Sequence, residues 1–176
     1  MTSRFGRVRL ERTLREWDPH PWDESDEDVR RYREESEHSL WRHEWDLRKR
    51  QVFLVRDRSG AVIGEVELVD IRRGMAVAEL RICLFAPRSR GRGLGQEAVT
   101  AALIHARSRL GLRTVYLRVY ETNERAIACY LKCGFRPKGR LTRPGGHGVL
   151  LMEADLASLV GRRRQNTTRR ALSASF

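Results

Sequence analysis

A chain of 176 residues with 40% hydrophobic content can fill one well-packed core and leaves no room for a second independent domain. No apolar run approaches the roughly 20 residues that span a bilayer, and the opening Met1-Thr2-Ser3-Arg4-Phe5-Gly6-Arg7 has no signal-peptide core, so a cytoplasmic protein without membrane contact is expected. The formal charge of +12 raises nucleic acid as a partner, but lysine occurs only at Lys49, Lys132 and Lys138, and the arginines that supply the rest form no designed patch, which argues against that class.

In chain order, Arg7 to Leu10 alternates apolar and charged residues as an edge strand does. Residues 11–24, with Pro19, Pro21 and several acids, read as irregular. Ser25-x-x-Asp28 is a capping signal, and Val29, Tyr32, Leu40 and Trp41 follow at helical spacing, so one or two helices are predicted over Asp26 to Leu47. Gln51 to Arg56, Ala61 to Ile71 and Met75 to Phe85 are strand-like. The turns between them, Arg58-Ser59-Gly60 and Arg72-Arg73-Gly74, are short enough to make an antiparallel meander. After a glycine-rich loop, Leu94, Ala98, Ala102, Leu103, Ala106 and Leu110 mark an amphipathic helix, and Thr114 to Tyr120 is a β-branched strand. The helical crossover places that strand parallel to the one ending at Phe85.

A helix from about Glu124 to Lys132 should end at Gly134, and Phe135 to Leu141 with Gly148 to Ala154 should close the sheet as a hairpin around Pro144-Gly145-Gly146. The fold class is therefore α/β, a mixed sheet flanked by helices. Residues 1–155 read as the single domain. Residues 156–176, with Arg162, Arg163, Arg164, Arg169 and Arg170 and no acid after Asp155, read as a basic, disordered tail, solvated or engaging an anionic partner. The three cysteines, Cys83, Cys129 and Cys133, are an odd number suited to a reducing compartment. Cys129 and Cys133 share a helical face, but two thiols without further Cys or His nearby make a poor zinc site, so no metal is expected.

Arg90-Gly91-Arg92-Gly93-Leu94-Gly95 lies between a strand and a helix, where glycines let backbone N–H groups approach a ligand and the helix N-terminus favours phosphate. A dinucleotide-binding loop would start at the strand end and expect an acid roughly 20 residues on. Here Ala86-Pro87-Arg88-Ser89 intervenes, and the nearest candidate acid, Glu121, is 28 residues past Gly93. No Gly-Lys-Ser/Thr follows, which excludes a Walker loop.

Arg90-x-x-Gly93-x-Gly95 resembles the [QR]-x-x-G-x-[GA] signature of the Gcn5-related N-acetyltransferase (GNAT) family, and Asn123 to Phe135 resembles its N-x-x-A-x-x-x-Y-x-x-x-G-F segment. The resemblance covers residues 75–135 closely. It implies the GNAT fold: a mostly antiparallel twisted sheet with one parallel, splayed strand pair. It also implies acetyl-coenzyme A as cosubstrate. Backbone groups of Arg90, Gly91, Arg92, Gly93, Leu94 and Gly95, with Gln96 opening the helix, would hold the pyrophosphate. Backbone groups around Cys83, Leu84 and Phe85 would pair with the pantetheine arm, Asn123 would contact that arm across the cleft, and Tyr130 would face the thioester sulfur.

Aminolysis of a thioester needs a deprotonated amine and a protonated or stabilised leaving thiolate. A phenol with an ordinary pKa near 10 matches a thiol, which makes Tyr130 the candidate general acid. Glu79, eleven residues before Arg90 as in the family's histone-acetylating branch, is the candidate general base, directly or through water; a salt-bridged strand carboxylate is its other reading. His105 on the long helix and His147 in the last turn have no reason to reach the sulfur. Asp23 to Glu37 holds eight carboxylates against three arginines, a steering field for a cationic acceptor such as a polyamine, aminosugar or protein N-terminus, or simply a solvated face. The expected function is N-acetyl transfer to an amine by a monomer or homodimer. A catalytically inactive GNAT-fold binding module using the arginine-rich surface is the alternative.

Overall fold

The structure is a computed structural model that describes residues 2–13, 49–85, 87–142 and 148–158, with side chains from residue 5 onward. Strands β1 (Thr2–Phe5) and β2 (Val8–Thr13) form a hairpin about Gly6-Arg7. Gly6 has φ +58, which suits the two-residue turn whose first central position needs a left-handed residue. The meander follows as β3 (Gln51–Arg56), β4 (Val62–Arg72) and β5 (Val77–Leu84). Then come α1 (Leu94–Leu110), β6 (Thr114–Tyr120), α2 (Glu124–Lys132), β7 (Arg136–Thr142) and β8 (Gly148–Asp155). Among the described residues eight strands join one sheet in the order β1-β2-β3-β4-β5-β6-β8-β7. Among them only β5 and β6 pair in parallel, as their helical crossover requires.

The first strand needs correction. The segment expected over Arg7 to Leu10 runs from Val8 to Thr13, and it is an inner strand because Thr2–Phe5 pairs outside it. Four residues are too few for a period-two pattern to announce a strand. The helices expected over Asp26 to Leu47, the Pro144-Gly145-Gly146 turn with His147, and the tail from residue 159 lie outside the described residues.

The core lies between α1 and one face of the sheet. Ala98, Ala101, Ala102 and Ala106 are fully buried on α1, and their small side chains let the helix approach Phe53, Val66, Leu68, Ala78, Leu80, Val115 and Leu117 closely. Each buried Leu, Val or Phe contributes about 1.5–3 kcal/mol. Gly111, at φ +67, ends α1, its N–H and that of Leu112 donating to Arg107 and Ala106 carbonyls. On the opposite face β4 also buries Glu65 and Glu67, so this strand is covered on both sides.

The feature that positions a site is a wedge in the sheet. β5 and β6 share register only at Val77↔Thr114, Ala78↔Val115 and Glu79↔Tyr116. Beyond Glu79, β5 stays paired with β4 as far as Leu84, and β6 stays paired with β8 as far as Tyr120. The sheet therefore opens between the carboxyl ends of the parallel pair β5 and β6, where open α/β sheets receive ligands. Both the loop that follows β5 and the turn into α2 leave from this wide end.

Candidate active site

One wall of the wedge is the end of β5 and its loop. Cys83 and Phe85 are buried, and the Phe85 N–H donates to the Ile63 carbonyl at 3.0 Å. The Leu84 carbonyl accepts from the Arg90 guanidinium at 2.9 Å, so the side chain of Arg90 ties the loop to the strand that precedes it. The Arg90 N–H donates to the Pro87 carbonyl across a single 3-10 turn, Pro87–Ser89. Gly91 at φ +71 and Gly93 at φ +79 take left-handed conformations, and Gly93 is the N-cap of α1 with no side-chain cap. The first turn of α1 therefore presents main-chain N–H groups and the positive end of a 17-residue helix dipole. A Cβ on Gly95 would sit 3.5 Å from Leu84 Cδ1, ordinary contact, so the fold itself does not demand glycine there. An extended ligand with a pyrophosphate and a strand-like arm fits these walls: amides at the loop, a departing strand edge beside it.

The other wall is α2. Asn123 caps this helix, its Oδ1 accepting from the Ala126 N–H at 3.0 Å, a structural task beyond the cofactor contact expected of it. Tyr130 is half-buried and meets Phe135 edge-on at 5.8 Å between ring centroids. The Cys133 thiol donates to the Gln96 carbonyl at 3.6 Å, so the C-terminal end of α2 stands beside the first turn of α1. Gln96 opens α1 with its carbonyl also taken by Thr100 Oγ1 at 2.8 Å. Cys129 and Cys133 lie one turn apart on α2, near enough for their thiols to influence one another. That influence lowers the Cys129 thiol and raises Cys133, which burial raises further. All three cysteines are free thiols, with Cys83 and Cys133 buried and Cys129 partly so.

At the apex Glu79 is 4% exposed and fully engaged by arginine. Arg118 Nη2 reaches Glu79 Oε2 at 2.6 Å and Oε1 at 2.7 Å, and Arg81 Nε lies 3.5 Å from Oε1. The ion pair joins β5 to β6 just where their backbones part, and the candidate base is thus an ion-paired carboxylate. Tyr116 donates to Asp70 Oδ2 at 3.2 Å, and Asp70 also accepts from Arg72 at 2.8 Å. Burial, then the charges of Glu79 and Asp70, hold the Tyr116 phenol well above its ordinary range, so it remains a neutral donor. Asp70 itself adopts φ +48 at the bulge between Val69 and Arg72, a conformation Asp tolerates better than most residues.

Arg118, Tyr116 and Asp70 were not anticipated. The signal was present in β6, where Tyr116, Arg118 and Tyr120 alternate with Val115, Leu117 and Val119. His105 stands apart from the site, buried, with Nε2 bonded to Gln51 Oε1 at 2.8 Å. Among the described residues no group of three or more His, Cys, Asp or Glu could hold a metal, and no helix is long and apolar enough to cross a membrane.

Residues 4–136 match the family model described as acetyltransferase (GNAT) domain. Over 82 residues the chain is 38% identical to spermidine N(1)-acetyltransferase of Escherichia coli (strain K12), a stretch covering 47% of this chain and 44% of that protein. The match thus spans less than half the length of that curated relative. Among solved structures, spermidine N-acetyltransferase from Vibrio cholerae in complex with CoA and spermine is similar with a TM-score of 0.59 and 26% identity over 79% of each chain. A mutant of the same Vibrio cholerae enzyme gives a TM-score of 0.61 and 26% identity over 86% of each chain.

Proposed function

This chain belongs to the GNAT acetyltransferase domain family, and from that premise we propose that it transfers an acetyl group from acetyl-coenzyme A to a primary amine of a polyamine-like cation. The observation that carries this reading is the wedge between β5 and β6 with a left-handed glycine loop and a helix N-terminus at its wide end. The loop from Arg90 to Gly95 with Gln96 would hold the pyrophosphate, Cys83 to Phe85 the pantetheine arm, and Asn123 the arm's far side. Bound there, acetyl-coenzyme A supplies the thioester.

The chain's own groups then manage two protons. Tyr130 donates one to the departing sulfur, whose basicity its phenol matches. Glu79 accepts the amine's proton through a water at Oε2, the oxygen to which, among the described residues, Arg118 Nη2 alone donates. Cationic acceptors are favoured by the excess of carboxylates over arginines between Asp23 and Glu37. Spermidine and spermine, the amines named for the relatives, head the acceptor class.

The test incubates the protein with acetyl-coenzyme A and, in turn, spermidine, spermine, an aminosugar and a peptide with a free N-terminus, following free thiol. Thiol release fastest with the polyamines is expected. Release fastest with the peptide would overturn the acceptor class. Coenzyme A binding without release on any amine would favour a binding module.

A further inference from the structure

The geometry points to Arg7, on the turn between β1 and β2, as the positioning residue that aims the Gly93 amide at the pyrophosphate; this rests on the cofactor reading above. Arg7 is 85 residues from Arg92 in sequence, yet its Nη2 donates to the Arg92 carbonyl at 2.7 Å. A trans peptide carries its C=O and N–H on opposite sides. Holding the Arg92 oxygen toward Arg7 therefore turns the Gly93 N–H away from Arg7, outward from the loop. The same guanidinium holds Glu97 in the first turn of α1, with Nε on Oε1 at 2.7 Å, while the Arg7 main-chain N–H donates to Glu97 Oε2.

Two glycines record how closely the parts fit. A Cβ on Gly6 would lie 2.5 Å from Glu97 Oε2, and a Cβ on Gly93 would lie 3.0 Å from Arg7 Nη2, with both residues at left-handed φ. Glu97 would otherwise present an uncompensated carboxylate to an incoming pyrophosphate at the same helix end, and Arg7 neutralises it. One side chain thus performs two tasks at the loop, fixing a peptide plane and cancelling a charge. The β1–β2 hairpin, Thr2 to Thr13, becomes part of the cofactor site without touching the thioester.

The test measures coenzyme A affinity by calorimetry, and kcat/KM for acetyl-coenzyme A against acetylpantetheine, which lacks the pyrophosphate, in wild type and Arg7→Ala. Loss of charge-assisted hydrogen bonds at the loop should weaken coenzyme A binding roughly tenfold or more. The acetylpantetheine kcat/KM and kcat at saturating acetyl-coenzyme A should stay near wild type. Arg7→Gln, whose main-chain N–H still holds Glu97, guards against unfolding and should show the same selective loss. Equal losses for both donors would make Arg7 a general support of the cleft and overturn its role at the pyrophosphate. Unchanged coenzyme A affinity would overturn it too. A wild type that binds no coenzyme A would overturn the cofactor reading itself and this inference with it.

Discussion

Arg118→Ala removes the guanidinium that spans the opening of the sheet and leaves Glu79 as a buried carboxylate. Glu79 is 4% exposed, the Arg118 side chain 14%, and the contacts at 2.6 and 2.7 Å are short and charge-assisted. Breaking a buried pair by removing one partner costs about 3–5 kcal/mol, because the remaining charge is left buried without its main counterion. Arg81 Nε, 3.5 Å from Oε1, offsets part of this, which puts the expected loss near the lower end, about 3 kcal/mol. With a urea slope of about 2 kcal/mol/M, the unfolding midpoint should fall by roughly 1.5 M. Glu79→Met combined with Arg118→Met removes both charges and should recover to within about 1.5 kcal/mol of wild type. A loss below about 1 kcal/mol for Arg118→Ala, or a double variant as unstable as the sum of the singles, would refute the picture of a buried brace at the apex.

Two further substitutions separate folding from ligand approach at the loop. Gly95→Val puts a branched side chain where a Cβ already touches Leu84 Cδ1, so it should weaken coenzyme A binding at least about tenfold while changing the melting temperature little, because the position lies within α1. Gly93→Ala, at φ +79, should cost about 1–2 kcal/mol of stability as well, readable by denaturant unfolding. His105 gives the pH dependence. Burial lowers its pKa in the folded state below the ordinary value near 6.5, so below that pH the unfolded chain binds more protons and stability falls on acidification. His105→Gln should flatten that slope, measured as urea midpoints between about pH 7 and pH 5.

The strands Gln51–Arg56 and Thr114–Tyr120 could be read from sequence because their apolar residues alternate, and the helices Leu94–Leu110 and Glu124–Lys132 because an apolar face agrees with the glycine or asparagine at each start and the glycine beyond each end. The parallel pairing of β5 and β6 was legible for a topological reason, since a helix between two strands of one sheet forces it. Thr2–Phe5 was not legible, being too short to show alternation, and its place at the sheet edge depends on Gly6-Arg7 docking against Glu97. The candidate site divides in the same way. Glycine positions announce a loop because backbone conformation is written locally in residue type. The main partner of Glu79 is not local: Arg118 lies 39 residues away and meets it only across the wedge. A carboxylate on a strand looks alike in sequence whether it is open to water or held by an arginine.

Tyr130→Phe tests the central claim most directly, because it removes one hydroxyl from a half-buried ring and leaves the edge-on packing against Phe135 in place. With acetyl-coenzyme A and the best amine both saturating, kcat should fall roughly 10²-fold or more, as for loss of a general acid, while coenzyme A affinity by calorimetry stays at the wild-type value. A wild-type kcat from Tyr130→Phe would contradict the assignment of Tyr130 as the acid that protonates the leaving sulfur.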